Sequence, residues 1–486
     1  MEAPEQLKQN SYAEAKSPNV ENDISLGQHE NGALRAPRGS VSVYSWKNFG
    51  MAAHSAGVGI VNSTISGVVY AVLNNYLHMS ATLVATAVAL IQFPRSLRVF
   101  TGMLTDTVPI FGYRRRPYIV IGWGMTFLSC FLMAVLPLGD PYYGDQSIAD
   151  LDTAELTAEQ LATIDTDAPN RGIKMIILMM FANFGTVLAY SGFNGTMIEI
   201  SQQEPAHLRG TAMGDCDVVF YWFAIVSAFF TGLGLNSEDY GGTFSWSVGF
   251  NAIMGVCAGM SLIVLPFCWF CIQEERVTSG PSKSVFTFLY ELVQRKTIYR
   301  YIAFRFFYNV LAMISVTSAS AIQSTQWFWL GVPLLEKIPY AATDFVGALF
   351  MLEVDSEDFE ATLFGLAVTS QRVGIPFATV ITKSVDGYFD IEREYIQQDD
   401  HHVRSQVTYA YLIAYAVNLL AIVFVVLLPR QKEELHRMQR DGAKNTIKGV
   451  ATLCVLIFAL AWSLMTNILS LFDSTSCLRI AGGSGC

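Results

Sequence analysis

The chain has 486 residues, 52% of them hydrophobic and only 15% charged, with a formal net charge of −10. Soluble proteins carry about a quarter charged residues, so the composition points to a membrane. The acidic balance, with no basic stripe interleaved with aromatics, argues against nucleic acid as a partner.

The first 48 residues are polar and show no cleavable leader; they are expected to form a disordered cytoplasmic tail. Crossing a hydrocarbon core of about 30 Å takes about 20 apolar residues. Six such runs fill the first half: Gly50–Leu73, Ala81–Leu104, Tyr118–Leu138, Ile173–Ile198, Ala212–Leu235 and Val248–Ile272. They predict a six-helix bundle over residues 49–272. A polar cytoplasmic linker, 273–300, follows, in which SVFTFLYELVQRK has the spacing of a helix lying on the membrane surface. The second bundle, 301–472, offers Tyr301–Ile322, Tyr340–Val354, Ala361–Val385, Val407–Leu428 and Val450–Phe472, the second of these short. A tail, 473–486, ends the chain. The expected fold is an all-α polytopic membrane protein with about eleven spans.

Basic clusters follow span two (Arg114, Arg115, Arg116), follow span six (Arg276, Lys283, Arg295, Lys296, Arg300) and precede the last span. All fall on one side, which the positive-inside rule makes cytoplasmic. The acidic loop after span three and the loop Asp386–Gln406 fall on the other side. The C-terminus is then outside, where Cys477 and Cys486 are candidates for a disulfide, with free thiols as the alternative. The eight cysteines lie mostly in apolar runs, and Cys268-x-x-Cys271 has no second pair, so no metal is expected.

The stretch GMLTDTVPIFGYRRRPY, Gly102–Tyr118, spends an acid and three bases on one short turn. Gly102 and Asp106 are four apart and share a helix face. Glycine lets a neighbouring helix approach closely, and the aspartate can accept hydrogen bonds from a helix N-terminus or pair with an arginine. Pro109 and Gly112 shape the turn, and Arg114–Arg116 are expected at the cytoplasmic surface. A positive-inside anchor explains the arginines but not the glycine–aspartate spacing. The preferred reading is a latch that holds two helices together in one conformational state.

This string resembles the signature loop of the major facilitator superfamily, with Thr107–Phe111 an unusual insertion. Together with Phe93-Pro94-Arg95 before it, it resembles the folate–biopterin transporter family. The segments IEISQQEPAHLRG, QWFWLGVPLLE and FMLEVDSEDFEATLFGL, and the ending ALAWSLMTNILSLFDSTSCLRIAGGSGC, resemble that family's divergent oomycete-type members. The resemblance implies a two-bundle fold and transport of folates, pterins or related small organic solutes by alternating access. It leaves proton coupling open. It also implies a multi-pass protein of a plasma or organellar membrane. A faint repeat, Phe193-Asn194-Gly195 with Glu199 and Phe345-Val346-Gly347 with Glu353, suggests that two helices of the second bundle are missing near Ser318–Gln326. Alternatively, Gln326–Pro339 forms a re-entrant or interfacial segment. A non-transporting truncated paralogue, acting as a membrane binding or regulatory protein, is the competing reading.

Ionisable groups inside spans are costly and therefore candidates for function. Arg95 and Arg98 share a face of span two and suit an anionic solute, or else pair with Glu199, Asp215 or Asp217. Asp215 and Asp217 sit near the start of span five. Glu199 and Glu353 end their spans at matched positions, which suggests gating or proton coupling. Arg372 is mid-span and cannot shed its charge. Asn194 stands where the related chains often carry an aspartate. Arg305 is expected to snorkel to the interface, and His54 and Asn62 to make helix–helix hydrogen bonds. No His-x-x-x-His, Gly-x-Ser-x-Gly or phosphate loop is present, so no catalytic residue, cofactor or enzymatic activity is expected.

Overall fold

The computed structural model describes residues 34–35, 41–79, 81–144, 148, 157–277, 284–314, 344–354, 358–386, 388–389, 401–469, 475 and 478. Among these residues all regular elements are helical, and the only bridges are isolated ones. Helix α1 (Phe49–Val69) continues as a π turn over Tyr70–Tyr76. The second apolar run is not one helix. Helix α2 (Ala81–Gln92) tightens into a 3-10 stretch at Phe93–Leu97 and resumes as α3 (Arg98–Thr107). Pro94 lies in that stretch and cannot donate the backbone bond an α-turn needs.

Helices α4 (Arg116–Val135), α6 (Ala168–Gln203), α7 (Thr211–Gly234) and α8 (Phe250–Phe270) complete the first half, with the single turn α5 (Ala158–Leu161) before α6. The expected amphipathic segment is α9 (Val285–Gln294), which buries Phe288, Leu292 and Val293 and exposes Phe286. Helix α10 (Lys296–Ala312), α11 (344–352), α12 (Glu360–Arg372) and α13 (Ile375–Asp386) follow. The chain then forms α14 (His401–Ala421), the short α15 (Lys432–Arg440) and α16 (Thr446–Leu469).

Among the described residues, eight helical segments are long and apolar enough to cross a membrane, against about eleven expected from apolar runs. The difference has local causes. Pro94 divides one run, and two others are described only up to 314 and only from 344. The region near Ser318–Gln326, the Gln326–Pro339 segment and the Cys477–Cys486 pair lie outside the described residues. The protein is an all-α, multi-pass membrane protein. Leu128, Phe131, Trp222, Phe229, Leu262 and Ile263 point outward, as they must where the solvent is hydrocarbon.

Two large cores, with a small cluster at Ala410 and Ala414, hold the described residues together. One centres on Met51, Val61, Trp123, Met179 and Ile253 and also takes in Ala348 and Leu352 of α11. The other centres on Leu292, Tyr301, Met351, Phe359 and Leu363 and takes in Val99 of α3. Each half therefore plugs apolar side chains into the other's core, Ala348 and Leu352 one way and Val99 the other. The closest crossing between them is that of α3 on α12. A methyl at Gly102 would sit 2.3 Å from the Ala361 carbonyl oxygen, and one at Gly365 would sit 2.4 Å from that of Arg98. The two glycines thus serve one backbone-to-backbone contact, close enough for Thr369 Oγ1 to donate to the Ser96 carbonyl and accept from the Val99 N–H, each at 3.1 Å.

Gly102→Ala and Gly365→Ala are each expected to destabilise the purified protein by about 1–3 kcal/mol, the usual cost of overpacking. The double variant should lose less than the sum, because one separation of the helices relieves both clashes. Gly124→Ala, where nothing lies within 4 Å, should be neutral or stabilising; thermal unfolding in detergent checks all four proteins.

Candidate functional site

The turn after α3 is a tight hairpin. Ile110 and Tyr113 exchange backbone hydrogen bonds of 2.9 and 3.0 Å, and the two residues between them, Phe111 (φ 54°) and Gly112 (φ 80°), are both left-handed. A two-residue connection of that hand suits glycine at one position and strains phenylalanine at the other. Pro109 precedes the hairpin. Glu274, just past α8, accepts the backbone N–H groups of Arg114, Arg115 and Arg116, each at 2.8 Å. It is an acidic cap on the N-terminus of α4, supplied from a distant part of the chain.

Asp106 is fully buried. Its Oδ2 accepts the backbone N–H of Thr362 at 2.7 Å and the Thr362 hydroxyl at 2.8 Å. Thr362 lies in the first turn of α12, so Asp106 satisfies donors that a helix start leaves open. Both alternatives read from the residues are realised in part, since the other carboxylate oxygen lies 3.8 Å from Arg115 Nη2. Arg115 also donates to Glu199 at 2.6 Å and to Glu360 at 2.5 Å. Arg114 donates to Asp358 at 2.5 Å, and Arg116 donates to the Ile272 carbonyl and lies over the Tyr113 ring. The expectation of three surface arginines is corrected here. The Arg115 side chain is 4% exposed, because three carboxylates from α3, α6 and α12 converge on it.

Glu353 gathers a second cluster at the C-terminal end of α11. Arg209 Nη1 donates to it at 2.6 Å, Lys432 Nζ lies at 2.5 Å and His436 Nε2 at 2.8 Å. Gln439 donates to its backbone carbonyl at 3.0 Å. Lys432, His436 and Gln439 share one face of α15, while Arg209 comes from the α6–α7 loop. Between these two, burial holds the Glu204 carboxyl above its usual range, against the hydrogen bond it accepts from the Gly210 N–H.

Between the halves lies a cavity of about 400 Å³, within the size range usual for small-molecule sites. Arg95, Arg98 and Asp217 line it from the first half, and Arg305, Asp344 and Arg372 from the second. Arg98 stacks over Tyr190 with its guanidinium carbon 4.5 Å from the ring centre. The reading of Arg305 as a snorkelling residue is corrected. It is buried, donates to Gln371 and lies 3.6 Å from Asp344. Asn62 is at the cavity wall. His54 lies deeper in the bundle, with the Trp123 indole N–H donating to its Nδ1 at 3.0 Å.

The sequence candidates therefore separate. Arg95, Arg98, Asp217 and Arg372 meet at the cavity; Asp106, Arg114, Arg115 and Glu199 meet at the charge cluster; Glu353 stands in its own cluster. Asp215 is not part of the cavity wall. Asn194 is buried within α6, beside Gly195, whose Cα faces Arg115 and Ala361. Reading the residues missed Asp344, Gln371, Glu360, Thr362 and Glu274. Only Glu360 carried a signal, as an acid at the head of a predicted span.

A multi-pass helical bundle that encloses a charged cavity, with ion-paired clusters at one end, is the architecture of a membrane transporter. Residues 58–142 match the model of the BT1 family, a stretch that contains Gly102–Tyr118. Among solved structures, the chain is similar to the major facilitator superfamily proton:xylose symporter XylE bound to 6-bromo-6-deoxy-D-glucose. Identity is 12%, the match covers 81% of this chain and 98% of that one, and the TM-score is 0.42; the fold reading accordingly rests on this chain's own helices. A comparison with curated proteins returns no match.

Arg115→Met would leave three carboxylates facing one another without their shared base. The expected loss is about 3–5 kcal/mol, the cost of breaking a buried ion pair, measured as a fall in melting temperature. Arg115→Lys should recover only part, because a point charge cannot bridge separate carboxylates as a planar fork does.

Proposed function

We propose that the protein moves an anionic small organic solute of the folate or pterin type across the membrane by alternating access. The observation that carries this reading is the cavity between the halves. Four arginines line it against two aspartates, and Tyr190 and Phe220 offer flat faces beside them. A carboxylate would be held by charge-assisted hydrogen bonds, and a planar ring by stacking.

In this proposal the Asp106–Arg115 cluster is the cytoplasmic latch. It joins α3, α4 and α6 of one half to α12 of the other, and its release opens the cavity inward. The Glu353 cluster braces the same end. There α15 supplies Lys432 and His436 to Glu353. Proton coupling in this reading falls to Asp217. Glu199 and Glu353 are engaged in ion pairs at the closed end, whereas Asp217 reaches the solute cavity.

Vesicles containing the purified protein should take up labelled folate or a simpler pterin faster than empty vesicles. Equal rates would leave the non-transporting reading in place. Arg98→Gln should raise KM for the anion about tenfold, the scale of one charge-assisted hydrogen bond, with insertion unchanged. Asp106→Asn should slow uptake without changing KM to the same degree. Asp217→Asn should abolish the dependence of uptake on an imposed pH gradient yet retain solute exchange; a gradient response equal to that of the unaltered protein would remove Asp217 from the coupling role.

A further inference from the structure

The charge cluster on Arg115 does not balance on its own. Its two fully buried acids are Asp106 and Glu360, with side chains 0% and 1% exposed, while the third, Glu199, is 38% exposed. Among the described residues, Arg115 is the base that contacts all three. An uncompensated carboxylate in that position is costly. The second base comes from the polar segment that precedes the first span. Arg35 pairs with Glu360 through Nη2 and Oε1, on the carboxylate oxygen that Arg115 does not use.

The backbone of the same segment is engaged as well. The N–H groups of Leu34 and Arg35 donate to the Gln202 carbonyl at 3.0 and 3.1 Å. Gln202 is in the last turn of α6, where helical carbonyls lack intrahelical donors. Its side-chain amide donates in turn to the carbonyls of Leu352, the last residue of α11, and Val354 just past it, at 3.4 and 3.1 Å. The segment thus docks on a residue of α6 that reaches across to the second half, and its guanidinium reaches the head of α12.

We propose that the N-terminal segment is a working part of the latch, and that Arg35 supplies the positive charge that lets the cluster stay closed. This rests on the latch reading given above. Withdrawal of Arg35 leaves Glu360 with one base shared three ways, which favours the open state. A chain segment outside the bundle then sets the balance between the two states, and anything that binds or modifies it would shift that balance.

The test uses a reporter thiol under the closed end. Ser201 is fully buried and its hydroxyl has no hydrogen-bond partner among the described residues, so Ser201→Cys is a mild change. The full chain in lipid nanodiscs is reacted with a polar maleimide, and labelling in excess of the chain without the reporter is timed. Arg35→Ala should speed that labelling about tenfold, the factor that follows from one charge-assisted hydrogen bond. Arg35→Glu should speed it further, and Arg35→Lys should restore most of the protection. Asp106→Asn reports on the latch alone. Faster labelling with Asp106→Asn but an unchanged rate with Arg35→Ala would overturn the role of the segment and leave the latch standing. No response to either substitution would overturn both.

Discussion

One buried guanidinium organises the charged end of this protein. Arg115 can be withdrawn from water only where carboxylates meet it, and those carboxylates come from α3, α6 and α12. Their convergence forces α3 against α12 at backbone distance, which only glycine at Gly102 and Gly365 permits. It also fixes the start of α4, since Arg115 must point inward while its own N–H is held by Glu274. The strained hairpin at Phe111 and Gly112 is the local cost of turning the chain sharply enough to do this.

The cavity follows the same rule with the opposite sign. There the guanidiniums outnumber the carboxylates, and their distribution over both halves means that a bound anion would touch both at once. Arg305 shows how the site is kept in order. It is engaged by Gln371 and Asp344 together, and Gln371 also donates to Asp344 at 3.3 Å. Such a closed triad fixes the direction of a long side chain that would otherwise sample many rotamers. Apolar side chains cover the outer faces, so polar recognition is concentrated at the centre and at one end.

Much of the fold was legible in the residues, because hydropathy alone marks where a chain can cross a bilayer. The glycine–aspartate spacing also showed that one face of α3 would meet a helix. What periodicity cannot show is which helix. Glu360, Thr362 and Glu274 lie more than 150 residues from the turn they complete, and nothing in local spacing links them to it. Two misreadings came from applying general rules to particular arginines. The positive-inside rule put Arg115 at the surface, although that rule concerns which side a residue is on and not how deeply it is buried. Proximity to a span end suggested that Arg305 would snorkel, when acceptors across the bundle hold it inside. Pro94 was visible, yet the apolar run continues through it, and hydropathy is blind to a missing N–H.

The 36 residues of α6 make a rod of about 54 Å at 1.5 Å per residue, well beyond a hydrocarbon core of about 30 Å. Glu199 and Gln202 ride near its far tip, outside the layer where Tyr190 faces the cavity. A rigid rod is a lever. Tilting it by about 10° around its midpoint moves the tip by about 5 Å, more than enough to part an ion pair, while atoms near the pivot scarcely shift. In the proposed cycle, small rearrangements around a bound solute would be magnified into the making or breaking of contacts at the end, with the long helix as the gear between the two.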